Sequence, residues 1–213
     1  MTALEYESEL EDELEASPQT LRRVGTAAAR SALQQGLNGI GLSEYETEGE
    51  WETRPWRAER ILNPIRRVYP DAMMEHFGHA AAEAESEAEA EAFIGALIPI
   101  AARLIPRVAP AIMRSAPALL RGVAGITRTL RRNPATRQLV RTVPTIVRRT
   151  AADINRQARQ GGGQVTPQQA VQALARQTQR VICSPQQSRQ ALRRNAALDR
   201  RYHQTAASGG LAE

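Results

Sequence analysis

Residues 97–131, LIPIAARLIPRVAPAIMRSAPALLRGVAGITRTLR, repeat in sevens. The second place of each unit is Ile98, Ile105, Ile112, Leu119 and Ile126, and the fourth is Ile100 followed by Arg107, Arg114, Arg121 and Arg128. A helix turns about 100° per residue, so seven residues return to within about 20° of the start. The arginines therefore form one narrow stripe, joined by Arg103 and Arg132, with Leu104, Ile105, Val108, Ile112, Leu119, Val123, Ile126 and Leu130 on a broad opposite arc. This spacing predicts a cationic amphipathic helix. Pro99, Pro106, Pro110 and Pro117 lie beside the stripe. Each interior proline removes an amide donor at a cost of ~3 kcal/mol, so the helix should kink repeatedly or break into two-turn pieces.

Immediately upstream, residues 83–91 read EAESEAEAE, a glutamate at every second position. Residues 5–15 (EYESELEDELE) and 44–52 (EYETEGEWE) follow the same rule. Alternation would place every carboxylate on one strand face, where like charges repel, and Glu and Ala are poor strand formers. The tracts are therefore expected to be solvated and disordered. Between them a short helix is expected at 18–35, with Ser17 as cap and Pro18 at its first position, before a loop carrying Gly36, Gly39 and Gly41.

The charge is divided between the halves. Residues 1–92 hold 20 acids against 8 arginines, and residues 93–213 hold 20 arginines against 3 acids. Arginine is the sole basic residue type apart from histidine, and it binds carboxylates and phosphates in a bidentate fashion. Such asymmetry points to internal charge pairing or to an anionic partner for the basic half. Aromatics are scarce beyond Phe93, with Tyr202 alone, and the alanine-rich apolar content predicts a modest core.

Downstream, Asn133-Pro134, Thr166-Pro167 and Ser184-Pro185 each pair a capping residue with a proline. They predict helices near 134–142, 145–159, 167–182 and 185–204, with a flexible joint at Gly161, Gly162 and Gly163. Val171, Leu174, Val181 and Ile182 form a thin apolar stripe suited to a hairpin rather than a deep core. The expected architecture is mainly α. It comprises a disordered acidic half (1–92), a proline-kinked apolar/arginine segment (93–132), a small C-terminal bundle or hairpin (133–204) and a loose tail (205–213).

Catalytic constellations are missing from the sequence: no phosphate loop, zinc-protease motif or nucleophile elbow occurs. His76 and His79 are spaced to offer two ligands to one metal, with a third to come from Glu75 or the nearby acidic tract, although Gly78 weakens the helix that would orient them. Cys183 and His203 could be written as nucleophile and base, with Asp199 as the orienting acid. The reading is a protein that is not an enzyme, with no cofactor and no small-molecule substrate. The acidic start lacks the basic and apolar regions of a signal peptide, so cytoplasmic synthesis is expected, with peripheral membrane attachment or export by another route.

The segment from Phe93 onward, AFIGALIPIAARLIPRVAP, resembles cationic membrane-active peptides in composition. The expectation is attachment to an anionic lipid surface, by one chain or a homo-oligomer, in an effector or toxin-like role. Arg103, Arg107, Arg114, Arg121, Arg128 and Arg132 would contact headgroups, and Phe93, Ile98, Ile105, Ile112, Leu119 and Ile126 would insert. The acidic tracts would fold back over the stripe as a mask. A structural protein with self-associating helices is the alternative, and a nucleic-acid or polyanion binder the third reading.

Overall fold

The computed structural model describes residues 17–38, 70–106, 109–161 and 164–209, with side chains as far as Gln204. Among the described residues ten α-helices run in order: α1 (Pro18–Leu37), α2 (Pro70–Glu83), α3 (Glu87–Gly95), α4 (Leu97–Leu104), α5 (Ala109–Arg114), α6 (Ala116–Arg131), α7 (Pro134–Arg137), α8 (Val143–Gln160), α9 (Pro167–Ile182) and α10 (Pro185–Gly209). A 3-10 segment, Gln138–Thr142, joins α7 to α8. The mainly α expectation holds, with no strand among the described residues. Disorder expected over 1–16 and 39–69 lies outside the described residues.

Helix starts follow local chemistry. Ser17 Oγ accepts from the Thr20 amide, Asn133 Oδ1 accepts from the Ala135 amide, and Thr166 and Gln169 form a reciprocal capping box. The 97–131 repeat is three helices rather than one kinked rod. Pro110 and Pro117 each occupy the second residue of a new helix, where a missing amide costs little, and Pro106 follows the end of α4. The breaks reset the angular register, so the stripe drawn across the whole segment is not one surface. Within α6, Leu119, Val123, Ile126 and Leu130 do keep a common buried face.

One acidic tract also departs from expectation. Residues 83–91, expected to be disordered, finish α2 and build α3. Glutamate and alanine are strong helix formers, and Ser86 Oγ caps α3 by accepting from the Glu89 amide while Glu89 Oε2 accepts from the Glu85 amide. Glu87 and Glu89 sit in the first turn, where the helix dipole favours negative charge. The exit from α2 is closed from outside: Arg131 donates to the carbonyls of Ala81 and Ala84 at 2.6 and 2.7 Å, and Arg137 Nε to that of Ala82 at 2.9 Å.

The core is larger than the alanine content suggested and draws on described residues from 1–92, 93–132 and 133–204 alike. Leu21, Met74, Ile94, Leu97, Ile126, Leu139, Ile146, Leu174 and Ile182 are all fully buried in one cluster. Alanine adds little area itself, but it lets helices approach closely so that the larger side chains interlock. α1 packs against α6 and α9, α2 against α10 and the 3-10 segment, and α8 against α9 and α4. At the α1–α6 contact a Cβ on Gly122 would stand 2.8 Å from Leu174 Cδ2 and 3.2 Å from the Ala32 carbonyl oxygen. Residues 133–204 are thus not a separate bundle, since α9 and α10 find their main partners in α1 and α2. The tail continues α10 as far as Gly209.

Candidate anion-binding face

The residues expected to enter a membrane mostly face the core. Ile98, Ile112, Leu119 and Ile126 are buried, while Phe93 and Ile105 are half-buried and pack against the core. Phe93 lies 6.2 Å from the Phe77 ring. Within Ala116–Arg131 the expected apolar arc is buried, its partner being the protein's own interior, and Val108 lies outside the described residues.

The arginine stripe is dispersed. Arg103, Arg114 and Arg132 are exposed, Arg121 is half-buried, and Arg107 lies outside the described residues. Arg128 is engaged internally: Nη2 donates to Glu91 Oε1 at 2.5 Å, Nε lies 3.7 Å from Glu87 Oε2, and Nη1 donates to Gln35 at 3.3 Å. Glu83 binds Arg141 at 2.8 Å, and this hydrogen bond holds the Glu83 carboxyl below its ordinary range. The third acidic tract therefore meets arginines from α6 and the 3-10 segment.

A second set of arginines, not singled out by sequence, gathers along α8 and α9. An open polar groove of about 450 Å³ runs between these helices, lined by Asp153 and Arg156 on one side and Gln169, Gln172, Arg176 and Arg180 on the other. Asp153 anchors it. Burial alone would raise its carboxyl, but hydrogen bonds from Arg156 at 2.8 Å and Gln177 at 3.3 Å, with the charges of Arg156 and Arg176, hold it below the ordinary aspartate range. Beside it, burial and then the neighbouring charges of Arg148 and Arg180 lower the Arg149 pKa. Burial and Arg194 do the same to Arg148, against the pull of Asp71 and Glu75. In the groove itself Asp153 stands among Arg156, Arg176 and Arg180, whereas Arg148 faces Arg194, Asp71 and Glu75, and an added anion would relieve the repulsion among the groove's guanidinium groups. The available signal was helical spacing: Arg149 and Arg156 are seven apart, Arg176 and Arg180 four. What sequence could not show is that Arg156, Arg176 and Arg180 share a groove.

The Cys183–His203 pairing is not formed. Cys183 caps the end of α9 with Sγ 3.6 Å from the Arg22 carbonyl oxygen. His203 lies near the other end of α10, roughly 27 Å along the axis at 1.5 Å per residue. His76 binds Asp199 at 2.9 Å, while His79 stands outside that group of ligand atoms: burial lowers its pKa, and it feels the charges of Arg141, Asp199, Glu83 and His76. No helix among the described residues is long and apolar enough to cross a membrane. No protein-family model, curated protein or solved structure matches the chain.

Proposed function

We propose that the protein is a non-enzymatic binder of anionic membrane surfaces, docking through the α8–α9 arginine face while its apolar segment stays in the core. The observation that carries this reading is the gathering of Arg156, Arg176 and Arg180 around Asp153 in one groove, with Arg149 close enough to Arg180 for their charges to interact. Each basic residue near an anionic bilayer contributes about 1 kcal/mol, and several acting together give useful affinity without insertion. Leu37 and Met113 are the only large apolar side chains exposed among the described residues. That surface favours electrostatic docking over apolar self-assembly. Glu83, Glu87 and Glu91 occupy Arg141 and Arg128, so this acidic tract masks arginines elsewhere and leaves the groove as the docking face.

The test is vesicle flotation with the full chain and an R149Q/R176Q/R180Q variant, which keeps the Asp153–Arg156 pair. Wild type should float with phosphatidylserine-rich vesicles at low salt and not with neutral ones. The variant should lose about 3 kcal/mol, roughly a hundredfold in affinity. Binding should weaken as salt approaches physiological strength, where charges are screened beyond about 8 Å. A parallel duplex DNA titration separates the other reading. If the substitutions abolished duplex binding and left flotation unchanged, the face would be a nucleic-acid site and the membrane reading would fall.

A further inference from the structure

On another pair of helices, α2 and α10, three ligand-bearing side chains converge. His76 comes from α2, while Asp199 and His203 lie four residues apart on one side of α10. One ligand atom from each lies within 4.8 Å of the others. His76 Nδ1 is 2.9 Å from Asp199 Oδ1, and His203 Nε2 is 3.6 Å from the same oxygen. We infer that His76, Asp199 and His203 form a binding site for a divalent transition-metal ion, zinc being the best fit.

The geometry favours this. Zinc held tetrahedrally at about 2.0–2.1 Å from nitrogen and oxygen ligands separates those ligands by about 3.3–3.4 Å. The two nitrogen–oxygen separations bracket that value, and the two imidazole nitrogens, within 4.8 Å of each other, would close toward it by side-chain rotation. Two imidazoles and one carboxylate make a nitrogen–oxygen donor set of the borderline kind that zinc accepts, whereas magnesium and calcium demand mostly oxygens. The Asp199 side chain is only 12% exposed and its partners are the two histidines. A cation there would compensate a carboxylate withdrawn from water.

The surroundings hold the ligands in place. The Tyr202 ring stacks on His76, centroids 4.0 Å apart and planes 9° apart, and His203 meets the His76 ring edge-on at 5.1 Å. The His203 side chain is 61% exposed, which provides an entry path and leaves a fourth coordination position for water. A bound ion would join the middle of α2 to the late turns of α10, residues 123 apart in the chain. Metal binding would thereby stabilise the attachment of the last helix.

The experiment uses tag-free full-length protein, stripped with chelator and titrated with zinc against a chromophoric competitor. One ion per chain is expected. H76Q, D199N and H203Q should each weaken binding at least tenfold, and zinc should raise the thermal midpoint of wild type but not of H203Q. Because His203 is exposed, H203Q should keep the wild-type helical circular dichroism, so its loss of affinity cannot be a folding defect. Cobalt(II) supplies an independent readout: intense visible absorption of a low-coordinate site in wild type, absent in H203Q. Zinc affinity equal in wild type and H203Q would overturn the inference, as would one ion retained by the H76Q/H203Q double variant.

Discussion

Glu75 shows how a single residue reports on packing. It is 2% exposed, with Arg194 Nε donating to Oε1 at 3.1 Å and Asn195 Nδ2 to Oε2 at 3.1 Å. Burial pushes its carboxyl above the ordinary value of 4.5, outweighing those hydrogen bonds and the Arg194 charge. The folded state therefore binds this proton more tightly than the unfolded state does. Its contribution to stability falls as pH rises from about 4.5 through the raised folded value, then levels off. Glu75→Gln should remove that fall while keeping a hydrogen-bonding side chain of the same shape. Urea unfolding at pH 7 should find the variant at least as stable as wild type, with any advantage shrinking toward pH 4.5. A variant clearly weaker at pH 7 would show that the Arg194 ion pair outweighs the burial cost.

At the scale of elements, helix ends account for much of the arginine. Arg131 and Arg137 satisfy carbonyls at the end of α2, a use that composition alone presents as anion-binding charge. The termini of α2 and α3 meet at Ala84–Ser86, so Arg131 also sets how the acidic tract turns back toward α6. Arg131→Gln should cost about 1–3 kcal/mol, the range for buried carbonyls that lose a charged donor. Glutamyl-specific protease should then cut at Glu85 and Glu87 faster than in wild type. Unchanged cleavage would mean that the Ser86 cap and the Arg128–Glu91 pair hold the tract without Arg131.

At the scale of the molecule, residues from 1–92, 93–132 and 133–204 share one interior. α1 inserts Leu21, Ala28 and Ala32, each with no exposed surface, against α6 and α9. Deleting residues 1–38 should therefore expose the faces of both helices and remove a layer of the core, an effect far beyond the removal of acidic charge. The expected result is loss of the cooperative thermal transition by circular dichroism, with aggregation through the uncovered α6 face. A sharp transition at the wild-type midpoint would show that α1 is dispensable. Removing 1–92 is consequently a test of folding and not of unmasking, because α2 and α3 would go as well.

Helix boundaries were legible because their causes are local: Ser17-Pro18, Asn133-Pro134 and Thr166-Pro167 carry cap and first-turn chemistry within four residues. The apolar arc through Leu119, Val123, Ile126 and Leu130 was legible for the same reason, since periodicity is a property of one helix. Periodicity gives a face and not its partner, so the same arc reads equally well as a membrane face or as core. Tertiary packing decided between them by laying α1 and α9 over α6. It also decided which charges meet. Arg128 with Glu91 are 37 residues apart, Gln177 with Asp153 24, and His76 with Asp199 123. Amino-acid order determined that this protein would be helical and charge-divided. The pairing of distant side chains into a masked tract, an arginine groove and a histidine–aspartate cluster came only with the close packing of alanine- and glycine-lined helices, which has no local signature.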